Sequence, residues 1–191
     1  MATPEDSIIA LFSHILALKS LPRTGWLLAG VPQPESVADH AYGTTALASF
    51  LCDLINAAPE EEGLSQTLDP GRVMRIALVH DLAEATLTDL PKRASELLGS
   101  DVKHAAEGRA IELIMAEFPA GEVYVELWSE YDAAATPEAR LVRDADKLDM
   151  VLQAAGYSRS SGAVLNEFHE GHTWHYSLPA RVAARLQGRE R

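Results

Sequence analysis

Three observations predict an all-α fold. Apolar residues recur at helical spacing in several windows, nothing alternates with period two over a useful length, and capping residues, proline and glycine punctuate the helical stretches. Ile8, Leu11, Phe12, Ile15 and Leu18 form a first stripe, which ends near the turn-prone SLPRTGW. After GVPQPES, a second helix carries His40, Thr44, Leu47, Leu51 and Leu54 on one stripe, and APEEEGLSQT then makes a polar loop. Asp69-Pro70 places an N-cap before proline at the first helical position, opening a helix that contains VMRIALVHDLAEA. Further helices are expected at about 101–118 and 121–134. Thr136 caps and Pro137 starts the next one, with Leu141, Ala145, Leu148, Leu152 and Ala155 on its buried stripe and Gly156 as its stop. A last helix starts at SLPARVAARL.

The chain of 191 residues fits a single domain, with a core over about 5–156 and a C-terminal helical extension over about 157–191. A hydrophobic share of 47% is enough for a sizeable core. The net charge of -12 argues against a nucleic-acid polymer as partner, because such binders cluster Lys and Arg on a basic surface. A phosphate-bearing substrate would need a local device to hold it against that field, and a metal ion is one. Cys52 is the lone cysteine, in the apolar run ALASFLCDLI, where packing is its simplest role. The start MATPEDSIIALF lacks the basic flank and long apolar core of a signal peptide, and no window approaches the roughly 18 apolar residues of a membrane span. A soluble, cytoplasmic protein with no membrane partner is expected.

The candidate chemistry gathers in ALVHDLAEATLTDLP, residues 77–91, where an apolar run ends abruptly in His80-Asp81 and places acids at Glu84 and Asp89. A solvated polar patch at a helix end does not explain why the preceding residues IALV are entirely apolar. Helical geometry would put Glu84 on the same face as His80 and Asp81. His40 sits on a core-facing stripe; taken alone, it is a buried histidine satisfied by one hydrogen bond. Imidazole nitrogens with carboxylate oxygens and no thiolate favour a divalent ion of intermediate hardness, such as Mn, Co, Fe or Zn. Three such ligands leave room for another carboxylate. Asp144, Asp146 and Asp149 offer one, and although Asp146 flanks the buried Ala145, spacing does not choose among them.

His40, His80-Asp81 and an aspartate in VRDADKL resemble the H…HD…D signature of the HD-domain phosphohydrolases. PRTGW at 22–26, PESVADHAYG at 34–43, HDLAEATLTDLP at 80–91, ELWSEY at 126–131 and ARLVRDADKLDMVLQA at 139–154 resemble its 5′-deoxynucleotidase branch, in order over about residues 5–155. The resemblance implies a compact HD-domain helical bundle, usually a homodimer. It also implies one divalent ion, with Mg as open as the others, and hydrolysis of deoxyribonucleoside 5′-monophosphates to deoxynucleoside and phosphate. Carried over by position, it implies His40, His80, Asp81 and Asp146 as metal ligands and Glu84 as the acid acting on the attacking water. Arg23 and Trp26 would place the phosphate and the sugar, and Asp89 would contact the deoxyribose. Thr88 stands where a glycine is common, and two residues separate Arg23 from Trp26 where some members have the pair adjacent.

An ion in such a site acidifies water, and Glu84 would take or orient its proton. Another nucleotide or phosphate ester as substrate, or a metal-bound module without turnover, are the alternatives. Outside the matched region, His169, His172 and His175 are spaced three apart in FHEGHTWH, with Gly171 interrupting any helix that would align them. His104 lacks the companions that a second ion would need, so a single ion is expected.

Overall fold

The computed structural model describes residues 3–161 and 165–189, and among them every regular element is helical. The order is α1 (Pro4–Ser20), α2 (Thr24–Leu28), α3 (Val37–Asn56), α4 (Pro70–Val79), α5 (Glu84–Leu87), α6 (Lys92–Leu98), α7 (Ser100–Met115), α8 (Gly121–Ala133), α9 (Pro137–Ser161) and α10 (Ser177–Arg189). Short 3₁₀ turns lie at Pro59–Glu62 and Asn166–Phe168, and one isolated bridge joins Pro22 to Ser36. The ends of the expected single domain, and part of its C-terminal extension, fall outside the described residues. None of the described helices is long and apolar enough to cross a membrane.

The helix starts follow local chemistry. Thr3 and Asp6 form a capping box on α1, and Ser36 and Asp39 form another on α3. Asp69 accepts from the backbone N–H groups of Gly71 and Arg72 at the head of α4, with Pro70 in the first turn. Thr136 Oγ1 accepts from Ala139 N–H at 3.2 Å at the head of α9.

The long helices α3 and α9 pack together at the centre, flanked by α4 and α8, with α7 packed in turn on α8. On α3 the buried positions are Val37, His40, Thr44, Ala48, Leu51, Cys52 and Ile55, one continuous helical stripe. Leu54, expected on that stripe, faces solvent, and Ile55 takes its place in the core. The burial of Cys52 matches its expected packing role and pushes its thiol up to about 11.

Two expectations are corrected. Gly156 does not stop α9, which continues to Ser161. Glycine inside a helix costs only about 1 kcal/mol relative to alanine, and the turn around it is held by buried Ala154 and Ala155 and by Tyr157 against Trp26. The stripe of α1, whose orientation the spacing leaves open, mostly faces solvent: Ile8, Phe12 and Ile15 are 59%, 50% and 44% exposed, while Leu11 and Leu18 contact the interior. The helix begun at Asp69 ends at Val79 instead of running through Glu84. From His80 the backbone tightens into i→i−3 hydrogen bonds, Leu82 to Val79 and Glu84 to Asp81, before α5 begins. Glu84 therefore lies one short turn beyond Asp81, not on a common α-helical face.

Leaving α5, Thr88 adopts φ 80° and ψ 159°, a region that only glycine enters without steric cost. Thr88 is exposed, so it has no buried contacts to lose. Thr88→Gly should raise stability by about 1 kcal/mol, the relief of strain exceeding the added unfolded-chain entropy. Urea unfolding of the two proteins checks this through the shift in midpoint.

Candidate metal centre

His40 is completely buried and both of its ring nitrogens are engaged. Its Nδ1 lies 2.8 Å from Asp149 Oδ2, and its Nε2 lies 3.1 Å from Asp146 Oδ1. His80, also buried, points its Nε2 at His40 Nε2 across 3.4 Å. Its Nδ1 is 2.7 Å from the Ala77 carbonyl oxygen, which can only accept; Nδ1 therefore carries a proton, and Nε2 is directed at the cluster. Asp81 Oδ2 sits 3.5 Å from His40 Nε2 and 3.3 Å from His80 Nε2. His40, His80 and Asp146 each offer an atom within 4.8 Å of the others. All four side chains expected to share an ion thus converge from α3, α9 and the turn after α4.

The three aspartates that spacing left open have three different jobs. Asp146 faces His40 and accepts a 2.7 Å hydrogen bond from the Tyr131 hydroxyl. Asp149, one helical turn later, orients His40 from behind. Asp144 points elsewhere, accepting from the backbone N–H groups of His175 and Tyr176. The sequence reading gave no role to Asp149 or Tyr131. A buried imidazole needs a partner for its second nitrogen, and Asp149 was the available candidate three residues from Asp146.

Gly43 is a second feature that spacing did not mark. A Cβ built there would stand 2.2 Å from Asp149 Oδ1, so only glycine lets α3 pass close enough for Asp149 to reach His40.

The electrostatics belong to a desolvated cluster of opposite charges. Burial alone would lower His40, as would Arg23, but hydrogen bonds to Asp146 and Asp149 reverse this and raise it to about 10. Burial would likewise raise Asp81 and Asp146, yet the two imidazoles and Arg23 hold both carboxyls well below the usual range. Glu84 behaves oppositely. Its burial, reinforced by the Asp81 charge, pushes it up to about 10, and its Oε2 is buried with no hydrogen-bond partner. An orphaned buried carboxylate oxygen beside such a cluster is a place for a ligand or water.

Arg23, the residue before α2, reaches Asp81 Oδ2 at 3.2 Å and Asp89 Oδ1 at 3.7 Å. Asp89 is buried and fixed through Oδ2, which accepts from the Thr24 N–H and, at 2.6 Å, from the Thr24 hydroxyl. Trp26 does not join them. It is 2% exposed, tilted against Phe168 at 4.2 Å between ring centres and edge-on to Tyr157, and its indole N–H donates to Glu35 Oε1 at 2.9 Å. The indole is thus packed between Phe168, Tyr157 and Glu35.

Two other features lie apart. His172 Nε2 donates to the Phe168 carbonyl, and His175 is engaged through its backbone by Asp144, so these histidines do not converge. A cleft of about 270 Å³ at the far end of α4 is lined by Arg72, Arg75, Glu126 and Glu130, with Arg72 and Glu130 already ion-paired.

An all-α bundle with a mixed imidazole–carboxylate cluster between its two central helices defines a class of candidate divalent-ion proteins. The chain belongs to the HD-domain family, whose model matches residues 15–177. It is 33% identical over 160 residues to 5′-deoxynucleotidase HDDC2 of Danio rerio, spanning 82% of this chain and 72% of that one. It is also 33% identical to 5′-deoxynucleotidase hdd1 of Schizosaccharomyces pombe, spanning 80% and 73%. Among solved structures, the PH0347 protein of Pyrococcus horikoshii superposes with a TM-score of 0.77 at 36% identity, covering 93% of this chain and 97% of that one.

Gly43→Ala should leave helical circular dichroism nearly unchanged, since the flexible Asp149 carboxylate can swing aside. It should weaken divalent-ion affinity about tenfold by releasing His40 from its orienting partner. Titration with Mn followed by its free-ion paramagnetic signal checks both the sign and the size.

Proposed function

We propose that the protein removes the 5′-phosphate from deoxyribonucleoside 5′-monophosphates. The observation that carries this is the convergence of His40, His80, Asp81 and Asp146 beside a buried, unpartnered Glu84 oxygen and the Arg23 guanidinium. The Danio rerio and Schizosaccharomyces pombe relatives, both named as 5′-deoxynucleotidases, support the substrate class.

The four converging side chains fit a divalent ion in donor type, in the direction of both Nε2 atoms and in their supporting partners. When bound, that ion supplies Lewis acidity toward water and toward a phosphoryl oxygen. The protein's own groups do the rest. Glu84 holds or accepts a proton of the attacking water through Oε2, and its burial makes it a stronger base than an exposed carboxylate. Arg23 sits on the same side as Asp81 and neutralises charge on the phosphoryl oxygens as the ester bond breaks. Asp89, with Oδ2 occupied by Thr24, turns Oδ1 toward Arg23, where it can accept from a sugar hydroxyl. Trp26 anchors α2 from within, which helps to fix Arg23 and Thr24.

We further infer a homodimer. Ile8, Ile9, Phe12, Ile15 and Leu16 are all exposed on one side of α1, an apolar face of the kind that marks a protein–protein contact. Phe12→Glu should convert a two-chain mass into a one-chain mass by light scattering without loss of helix signal.

The activity is tested by phosphate release from deoxyribo- and ribonucleoside 5′-monophosphates, 3′-monophosphates and triphosphates with Mn, Co, Mg or Zn. Deoxyribonucleoside 5′-monophosphates should be turned over fastest, and chelated protein should regain activity with added ion. Glu84→Gln should lose about 10²–10⁴-fold in kcat while binding the ion as before. Normal turnover by that variant would remove Glu84 from the mechanism.

A further inference from the structure

Asp146 reaches the cluster through one oxygen and is held through the other. Its Oδ1 lies 3.1 Å from His40 Nε2, while its Oδ2 accepts a 2.7 Å hydrogen bond from the Tyr131 hydroxyl. An ionised carboxylate only accepts, so the single hydroxyl proton of Tyr131 is committed to Oδ2. Asp146 is also the most open of the four converging side chains, 27% exposed against 16% for Asp81 and none for either imidazole. Packing alone therefore does not fix its carboxylate, and the bond from Tyr131 selects the orientation.

Tyr131 is built to impose that choice. Its ring meets His80 edge-on at 5.2 Å between centres and lies beneath the Arg143 guanidinium at 5.6 Å. Arg143 is itself tied to α8 by a 2.8 Å hydrogen bond to the Asp132 carbonyl. A ring packed between a candidate ligand and a tethered cation gives its hydroxyl little freedom. Phenylalanine would make the same ring contacts, so what tyrosine adds is the donor. A staple between α8 and α9 could end on any acceptor; this one ends on the second oxygen of a candidate ligand.

We propose that Tyr131 is a positioning residue that restricts Asp146 to ligation through Oδ1 and so keeps a coordination position open for water or a phosphoryl oxygen. Carboxylates bind divalent ions through one oxygen or through both. With Oδ2 reserved, His40, His80, Asp81 and Asp146 each supply one donor, and the other positions of a six-coordinate ion stay available. Released from Tyr131, Oδ2 would turn in and fill one of them. The ion would be held at least as tightly, while the reaction would lose a place. Loss of a partner that merely supports a ligand weakens ion binding, so the sign of the affinity change separates the two roles.

This role rests on the reading of these four side chains as ion ligands and is independent of which phosphate ester is hydrolysed. Chelated protein and its Tyr131→Phe variant are titrated with Mn while the free-ion paramagnetic signal is recorded. The relaxation of water protons by the bound Mn, which counts exchanging water ligands, is measured alongside. Tyr131→Phe should bind Mn as tightly as the unaltered protein or more so. Its relaxation enhancement should fall by about half, the loss of one of two open positions on a six-coordinate ion. A Mn-loaded crystal of the unaltered protein should show Asp146 bonded through Oδ1 alone, with Oδ2 still on Tyr131. Unchanged relaxation in the variant, Mn affinity weakened about tenfold as simple support predicts, or Asp146 ligating through both oxygens in the unaltered protein would overturn it. Unaltered protein that takes up no Mn would overturn it together with the ligand assignment. Neither readout involves a substrate, so failure of the proposed activity leaves both able to decide.

Discussion

The two-sided engagement of His40 is the constraint on which the rest depends. An imidazole sealed between α3 and α9 is stable only if both nitrogens are satisfied, because a buried polar atom without a partner costs about 1–3 kcal/mol. Asp146 and Asp149, one turn apart on α9, satisfy both from a single helix face. This fixes the rotation of α9 and its register against α3. Gly43 permits the close approach, and Tyr131 holds Asp146 from α8. Packing and chemistry are therefore one requirement here, since the side chains that lock the helices together also define the centre.

A ring of supporting contacts surrounds this hub. Tightening of the backbone after Val79 brings Asp81 beneath both imidazoles and sets Glu84 immediately behind it. Thr88 then takes a costly backbone conformation, and the next residue, Asp89, turns inward to meet Thr24 and Arg23. The chain bears strain at an exposed position so that a buried carboxylate can be placed. Arg23 bridges Asp81 and Asp89, joining the turn after α4 to the segment before α2.

Features decided locally were readable in the sequence. The caps at Asp69 and Thr136 form because their partners lie within three residues, and the helical period marked most helices that carry site residues. Features decided by tertiary contact were not. An apolar stripe looks the same whether it meets the core or solvent, so the spacing on α1 does not show that most of it faces outward. Gly156 carries a stop signal that the packing of its neighbours overrides. Asp144, Asp146 and Asp149 are equivalent acids until α3 and the segment around Tyr176 show which of them each can reach. Trp26 was legible as an important aromatic but not as an inward one, because Phe168 arrives from far along the chain.

Cys52 acquires a use from its placement. The only thiol in the protein lies fully enclosed on α3, twelve residues beyond His40 and on the same buried stripe. A sulfhydryl reagent can therefore reach it only when α3 separates from the interior. The rate of its alkylation becomes an intrinsic clock for opening of the helix that carries the central histidine, with no label to introduce.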